Sequence, residues 1–195
     1  MSHVNPYGDF EILDPSAMRA LAHPVRLAIL ETLQRDGPAT ATQLAPYVGA
    51  TPTVTSWHLR HLAGFGLVRD AEPAADRRQR RWEAASNGFR FQAGEDAESQ
   101  SAARMLSRQM FARYGELPQR WLLEVEPQLE APWTTLAGLS NTVLYLHAEE
   151  LADLVGRFEE LLAPYVNRTR TNSPPGTRRV RWMTYLLPDA QKEPE

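Results

Sequence analysis

The sequence predicts a mainly helical α+β fold: a helix-turn-helix with a hairpin wing, then a helical region, then a small strand-helix-strand unit. Three observations carry this. Thr51 to Val68, TPTVTSWHLRHLAGFGLV, reads as a capped helix that ends on closely spaced glycines. Arg77, Arg78, Arg80 and Arg81 crowd the connection between two strand-like runs just after it. Beyond Pro132 the apolar period changes to strand, helix and strand again.

Taken in order, the opening residues to Leu13 show no period and are expected to pack loosely or fray. A helical pattern begins at Asp14-Pro15 and places Met18, Leu21, Ala22, Val25, Leu27, Ala28, Ile29, Leu30 and Leu33 mostly three or four apart; Pro24, after His23, should kink or break it. Asp36-Gly37-Pro38 stops it. Thr40 with Gln43 three residues on matches a capping box, which starts a short helix toward Val48 that Pro46 weakens. Gly49 ends that helix, and Thr51-Pro52 supplies the next one with an N-cap hydroxyl and a proline at its first position. Thr55, Leu59 and Leu62 then share a packing face, while Thr53, Ser56, Trp57 and Arg60 point outward.

Gly64 and Gly66 end this helix, and Leu67–Ala71 and Arg80–Ala84 read as two strands joined by the polar connection EPAADRRQ. Four arginines within five residues repel one another unless an anion lies near them, and a nucleic-acid backbone is such an anion. A helix is expected over Asp96–Tyr114, with Ala103, Leu106, Met110 and Phe111 on its apolar face, and another over Pro118–Leu129. LSNTVLYLH then reads as a strand, the residues to Tyr165 as an amphipathic helix, and VRWMTYLLP as a last strand. Such a unit cannot bury both faces of a two-stranded sheet, so it should pack on the long helices or complete a sheet with a second subunit. Trp133, Tyr145, Phe158, Trp182 and Tyr185 are candidates to line a pocket for a small apolar effector, although core and dimer packing explains such aromatics more simply. The resulting boundaries are 14–92, 96–130 and 133–188.

Global charge hides a local asymmetry. The 195 residues carry a formal charge of −3, yet from Pro15 to Phe91 ten arginines face six acids, whereas Glu95–Glu130 is acidic. The absence of cysteine excludes disulfides, zinc-thiolate sites and thiol switches. No apolar run has membrane-spanning length and the N-terminus lacks a signal-peptide pattern, so a cytoplasmic chain without a membrane partner is expected. There is no Gly-rich phosphate loop, no Gly-x-Ser-x-Gly and no HExxH, so neither a catalytic role nor a cofactor is expected.

HPVRLAIL, then TQLAPYVGATPTVTSWHLRHLAGFGLV, then a basic hairpin, resembles the winged helix-turn-helix domain of ArsR-type bacterial transcription regulators over about Ser16–Phe91. The resemblance implies a homodimer that sets two recognition helices in successive major grooves of an inverted-repeat operator, usually to repress. By position it implies that Thr53, Val54, Ser56, Trp57 and Arg60 meet double-stranded DNA, with Arg77, Arg78, Arg80 and Arg81 on the flanking backbone or minor groove. His58 falls on the histidine of the family's S-x-H-L pattern and is read as structural or phosphate-facing. Thr55 stands where the family has an aliphatic residue and Trp57 where it has a polar one. The helix after the wing is assigned to dimer pairing.

Metal sensing does not follow from the resemblance. Gln43-Leu44-Ala45 stands where thiolate sensors carry their cysteines, and Ala97–Tyr114 contains no histidine. His58 and His61, at i and i+3, are the one spacing that suits a shared metal, but an ion there would occupy the recognition helix itself, so no metal site is assigned. The competing reading is an interaction module whose winged helix binds a partner protein instead of DNA.

Overall fold

The structure is a computed structural model that describes residues 6, 8–71, 80–166, 168 and 173–190. Its N-terminal part follows from the breakers and caps. Asp14 caps helix α1 (Pro15–Leu21) by accepting the Ser16 N–H at 2.8 Å. Pro24 breaks the helical run completely, because it opens α2 (Pro24–Asp36) as its first residue and His23 becomes the cap. Gly37, at φ 85°, ends α2. Thr40 and Gln43 form the expected capping box, with bonds of 3.2 and 2.9 Å, and start α3 (Ala41–Val48). Helix α4 (Pro52–Gly64) starts on Thr51, whose hydroxyl accepts the Val54 N–H at 3.3 Å.

The α3–α4 turn depends on Gly49, which is held at φ 65° in the left-handed region. A Cβ there would touch nothing, so the cost of alanine is purely conformational. Gly49→Ala is expected to lower unfolding free energy by about 1–2 kcal/mol, read from urea titrations.

Strands β2 (Ala39–Thr40), β3 (Val68–Asp70) and β4 (Arg81–Ala84) form an antiparallel sheet in the order β2-β4-β3, with Val68 opposite Ala84 and Ala39 opposite Trp82. The hairpin thus forms where the sequence places it. Within the segment expected to pack loosely, residues 10–12 are ordered into the fold. Phe10–Ile12 is a strand, β1, paired in parallel with β5 (Phe89–Phe91), and Ile12 is fully buried. Ile12 and its neighbour Phe10 bury apolar surface against a segment distant in sequence, which outweighs the weak local propensity of a three-residue strand.

One core joins all of these elements. Met18, Leu21, Leu27, Ile29, Leu30, Leu44, Leu59, Leu62, Leu67 and Trp82 meet in it, together with Ala102, Ala103 and Leu106 from α5 (Ala97–Tyr114). Phe111, expected on the packing face of α5, is instead 51% exposed.

After Leu106 no described residue is buried. Helix α6 (Leu117–Glu124) is shorter than expected and passes into a 3-10 turn at Glu126–Gln128, Pro127 having no N–H with which to continue the helix. A short α7 (Trp133–Leu136) and the long α8 (Ala148–Val166) follow. The helix of the expected strand-helix-strand unit is therefore present, but its two strands are not. Residues 139–147 and 178–188 make no ladder, since neither finds a partner strand among the described residues.

Candidate nucleic-acid interface

Helix α4 is two-faced. Thr55, Leu59 and Leu62 are fully buried, and the Thr55 hydroxyl donates to the Thr51 carbonyl at 2.9 Å. A threonine is tolerated at this aliphatic position because its polar atom is satisfied within its own helix. On the other side Thr53, Val54, Trp57 and Arg60 are exposed and Ser56 half-exposed. Arg60 Nη1 donates to Ser56 Oγ at 2.9 Å, so these two side chains are ordered together along the outer row. Hydroxyls, an indole and a guanidinium in one row offer the donors and acceptors that base edges and phosphates require.

Three histidines underlie this row. His58 is turned inward and only 5% exposed, which makes it structural rather than phosphate-facing. Its ring lies 4.7 Å from that of His23, whose Nδ1 accepts the Val25 N–H at 3.2 Å as the cap of α2. Trp57 stacks on His61 at 5.5 Å and meets His58 edge-on at 4.9 Å, so the exposed indole is positioned by two imidazoles. The sequence signal for His23 was its place before a proline at a helix start; its approach to His58 had no local signal. Among the described residues no group of three or more His, Asp or Glu is arranged to hold a metal ion.

Burial lowers the pKa of His23, His58 and His61 below the usual 6.5, and the positive charge of Arg26 lowers each further. The folded chain therefore takes up protons less readily than the unfolded one. The contribution of the neutral cluster to stability is complete above about pH 6.5 and is lost as the pH falls below it toward the lowered values. The urea midpoint is expected to drop between pH 7 and pH 5, and to drop less in His58→Gln. Equal drops in the two proteins would remove the cluster from this account.

At the hairpin, the two described arginines of the expected wing already have partners. Arg80 forms a two-pronged pair with Asp70, at 2.5 and 2.9 Å, and lies 4.1 Å over the Trp82 ring. Hydrogen bonding to Arg80 holds the Asp70 carboxyl below its usual range. Arg81 Nη2 donates to the Pro38 carbonyl at 2.6 Å, tying β4 to the residue before β2. Mutual repulsion in the cluster is thus relieved partly within the fold, by the aspartate that ends β3. Both members of the Arg80–Asp70 pair are more than half exposed, so the pair contributes little stability and leaves the guanidinium reachable. Arg77 and Arg78 lie outside the described residues.

The aromatic residues expected to line an effector pocket do not converge on one cavity. Phe158 packs on Trp182 at 5.4 Å and Tyr185 stacks on Phe111 at 5.7 Å, while Arg178 covers Trp133 and Tyr145 is 97% exposed. Among the described residues no helix is long and apolar enough to cross a membrane.

Residues 21–71 match the family model described as a helix-turn-helix domain, which spans α2, α3, α4 and β3. No curated protein matches the chain. Among solved structures, YusO from Bacillus subtilis is similar at 16% identity over 63% of this chain and 80% of that one, with a TM-score of 0.33. NMB1585, a MarR family regulator from Neisseria meningitidis, is 16% identical over 72% and 79% with a TM-score of 0.33. NadR in complex with 4-hydroxyphenylacetate is 16% identical over 75% and 82% with a TM-score of 0.35. Superpositions this loose carry no argument about the present chain.

Proposed function

We propose that this chain is a sequence-specific, double-stranded DNA-binding transcription regulator of the ArsR type, acting as a homodimer on an inverted repeat. The observation that carries the reading is α4: a capped helix, fixed by Leu59 and Leu62 to the core of a helix-turn-helix domain, that presents Thr53, Val54, Ser56, Trp57 and Arg60 to solvent. A second helix after a tight turn, with its N-terminal residues exposed, is the part of this motif that enters the major groove. The hairpin beside it places Arg80 at the edge of the same unit, with Arg77 and Arg78 in the connection between β3 and β4. Repression is the outcome that the ArsR resemblance implies, and the cysteine-free α3 separates this chain from thiolate metal sensors.

The test is selection of bound duplex fragments from the source genome with the purified chain. Recovered sites are expected to be inverted repeats with half-site centres about 34–36 Å apart, one helical turn. Arg60→Ala and Trp57→Ala are expected to abolish enrichment of those sites while leaving residual salt-sensitive binding to any duplex. Recovery of no duplex, with a protein captured through the exposed Val54 and Trp57 instead, replaces this reading with an interaction module.

A further inference from the structure

The C-terminal third of the chain leaves more apolar surface uncovered than one copy accounts for. Seventeen large apolar residues between Leu122 and Leu187 are at least 43% exposed. Tyr145, Tyr165, Trp182 and Tyr185 alone, at 97, 60, 63 and 49% exposure, present about 400–670 Å² if each ring offers ~150–250 Å². Summed over the four, that is comparable in area to the largest patch on an ordinary monomer, roughly 300–600 Å².

The sequence of the uncovered segments says what kind of cover they need. In NTVLYLH (141–147) both alternating sets are apolar, Val143 and Tyr145 against Leu144 and Leu146; in RRVRWMTYLL (178–187) Val180, Trp182 and Leu186 share one side, while Met183, Tyr185 and Leu187 share the other with Arg179 and Arg181 at its start. Strands apolar on both sides belong to sheets covered on both faces. One helix, α8, can cover one face. Among the described residues no second layer lies over these segments, and neither has a backbone ladder.

Charge points to the occupant. Helix α8 carries Glu149, Glu150 and Glu160 along with Asp153, paired with Arg157 of the same helix, and Glu159, paired with Arg90, whereas the second segment opens with Arg178, Arg179 and Arg181, of which Arg179 lies 3.9 Å from Asp36. An acidic helix and a basic strand in one unit make that unit complementary to a copy of itself, as a two-fold interface requires. Twelve of the exposed large apolar residues lie in α8 and these two segments, about half of the roughly 20–30 residues per side that a stable interface uses.

We propose that residues 141–147 and 178–187 become strands of a sheet formed between two copies of this chain, with the α8 helices as its covering layer. This interface is separate from any pairing along α5, and it stands whether or not α4 reads DNA. Strand formation across the two-fold gives both segments the backbone ladder that neither has among the described residues and buries Tyr145 and Trp182 together.

Amide hydrogen exchange on the full chain, run beside sedimentation across a concentration series, tests it. In the dimer the amides of 141–147 and 178–187 are expected to exchange about 100-fold more slowly than free ones, and to lose that protection as the chain dissociates. Tyr145→Asp, at a position a monomer leaves in solvent, is expected to shift the chain to monomer and remove the same protection, while the α4 amides stay protected and show that the domain is folded. Protection that persists in a monomer means that the sheet closes within one chain and overturns the proposal. So does a dimer in which these amides are unprotected, which assigns dimerisation to α5 alone, and so does protection that appears only when another protein or an apolar ligand is added.

Discussion

Replacing Arg77, Arg78, Arg80 and Arg81 together with alanine is expected to flatten the salt dependence of duplex binding. Every phosphate that the variant leaves unneutralised takes about 0.9 off the slope of log affinity against log salt. Arg80 is held by Asp70 and Trp82 and Arg81 by the Pro38 carbonyl, so each gives up an existing partner if it turns to a phosphate. Arg77 and Arg78 lie outside the described residues, and a double variant measures their share of the change directly. The measurement is a binding titration from about 50 to 200 mM salt on the quadruple variant and on the Arg77→Ala/Arg78→Ala pair. An unchanged slope in the quadruple variant removes the hairpin from the interface altogether.

The largest effect on stability is expected at Leu59. It lies on the inner face of α4, fully buried between the side that presents Trp57 and the core shared by α2 and α3. Leu59→Ala is expected to cost about 2–5 kcal/mol, the transfer energy of the deleted atoms plus the cavity left behind. Against a total stability of roughly 5–15 kcal/mol for a domain, that cost decides how much of the chain is folded at physiological temperature. Urea unfolding followed by circular dichroism measures it. A cost below about 1 kcal/mol would show that α4 is not anchored as described. Thr53→Ala, six residues earlier on the exposed face, should leave the same midpoint unmoved, which separates an unfolded domain from a folded one that binds poorly.

The contrast between those residues also shows what the sequence made legible. Caps and breakers act within four residues, so the capping box at Thr40, the proline at the start of α4 and the break at Pro24 could be located from spacing alone. The two faces of α4 followed from its period, because Leu59 and Leu62 repeat at helical spacing and every neighbour agrees with them. Non-local partners were not legible. Three residues carry no measurable period, so the pairing of Phe10–Ile12 with Phe89–Phe91 left no trace that composition could reveal. The approach of His23 to His58 and the capture of Arg80 by Asp70 arise only once α2, α4 and the hairpin are brought together. The strands expected after Pro132 failed for a related reason. Their residues have strand-forming composition, but a strand exists only where another lies beside it, and among the described residues none does.

The parallel pairing of β1 with β5 has a consequence for how the two halves communicate. Helix α5 leaves the domain a few residues after β5, and its first half lies against α1, with Arg19 reaching Glu98 at 2.7 Å. A displacement of α5 is thus delivered first to β1 and α1, the end of the domain farthest in sequence from the hairpin. From there it can reach α4 both directly, because α1 touches α4, and through α2 and the close-packed core they share. Under the proposed function, a displacement of α5 is therefore expected to reach the outer row of α4 through these packed core contacts, from the side of the helix opposite Trp57 and Arg60.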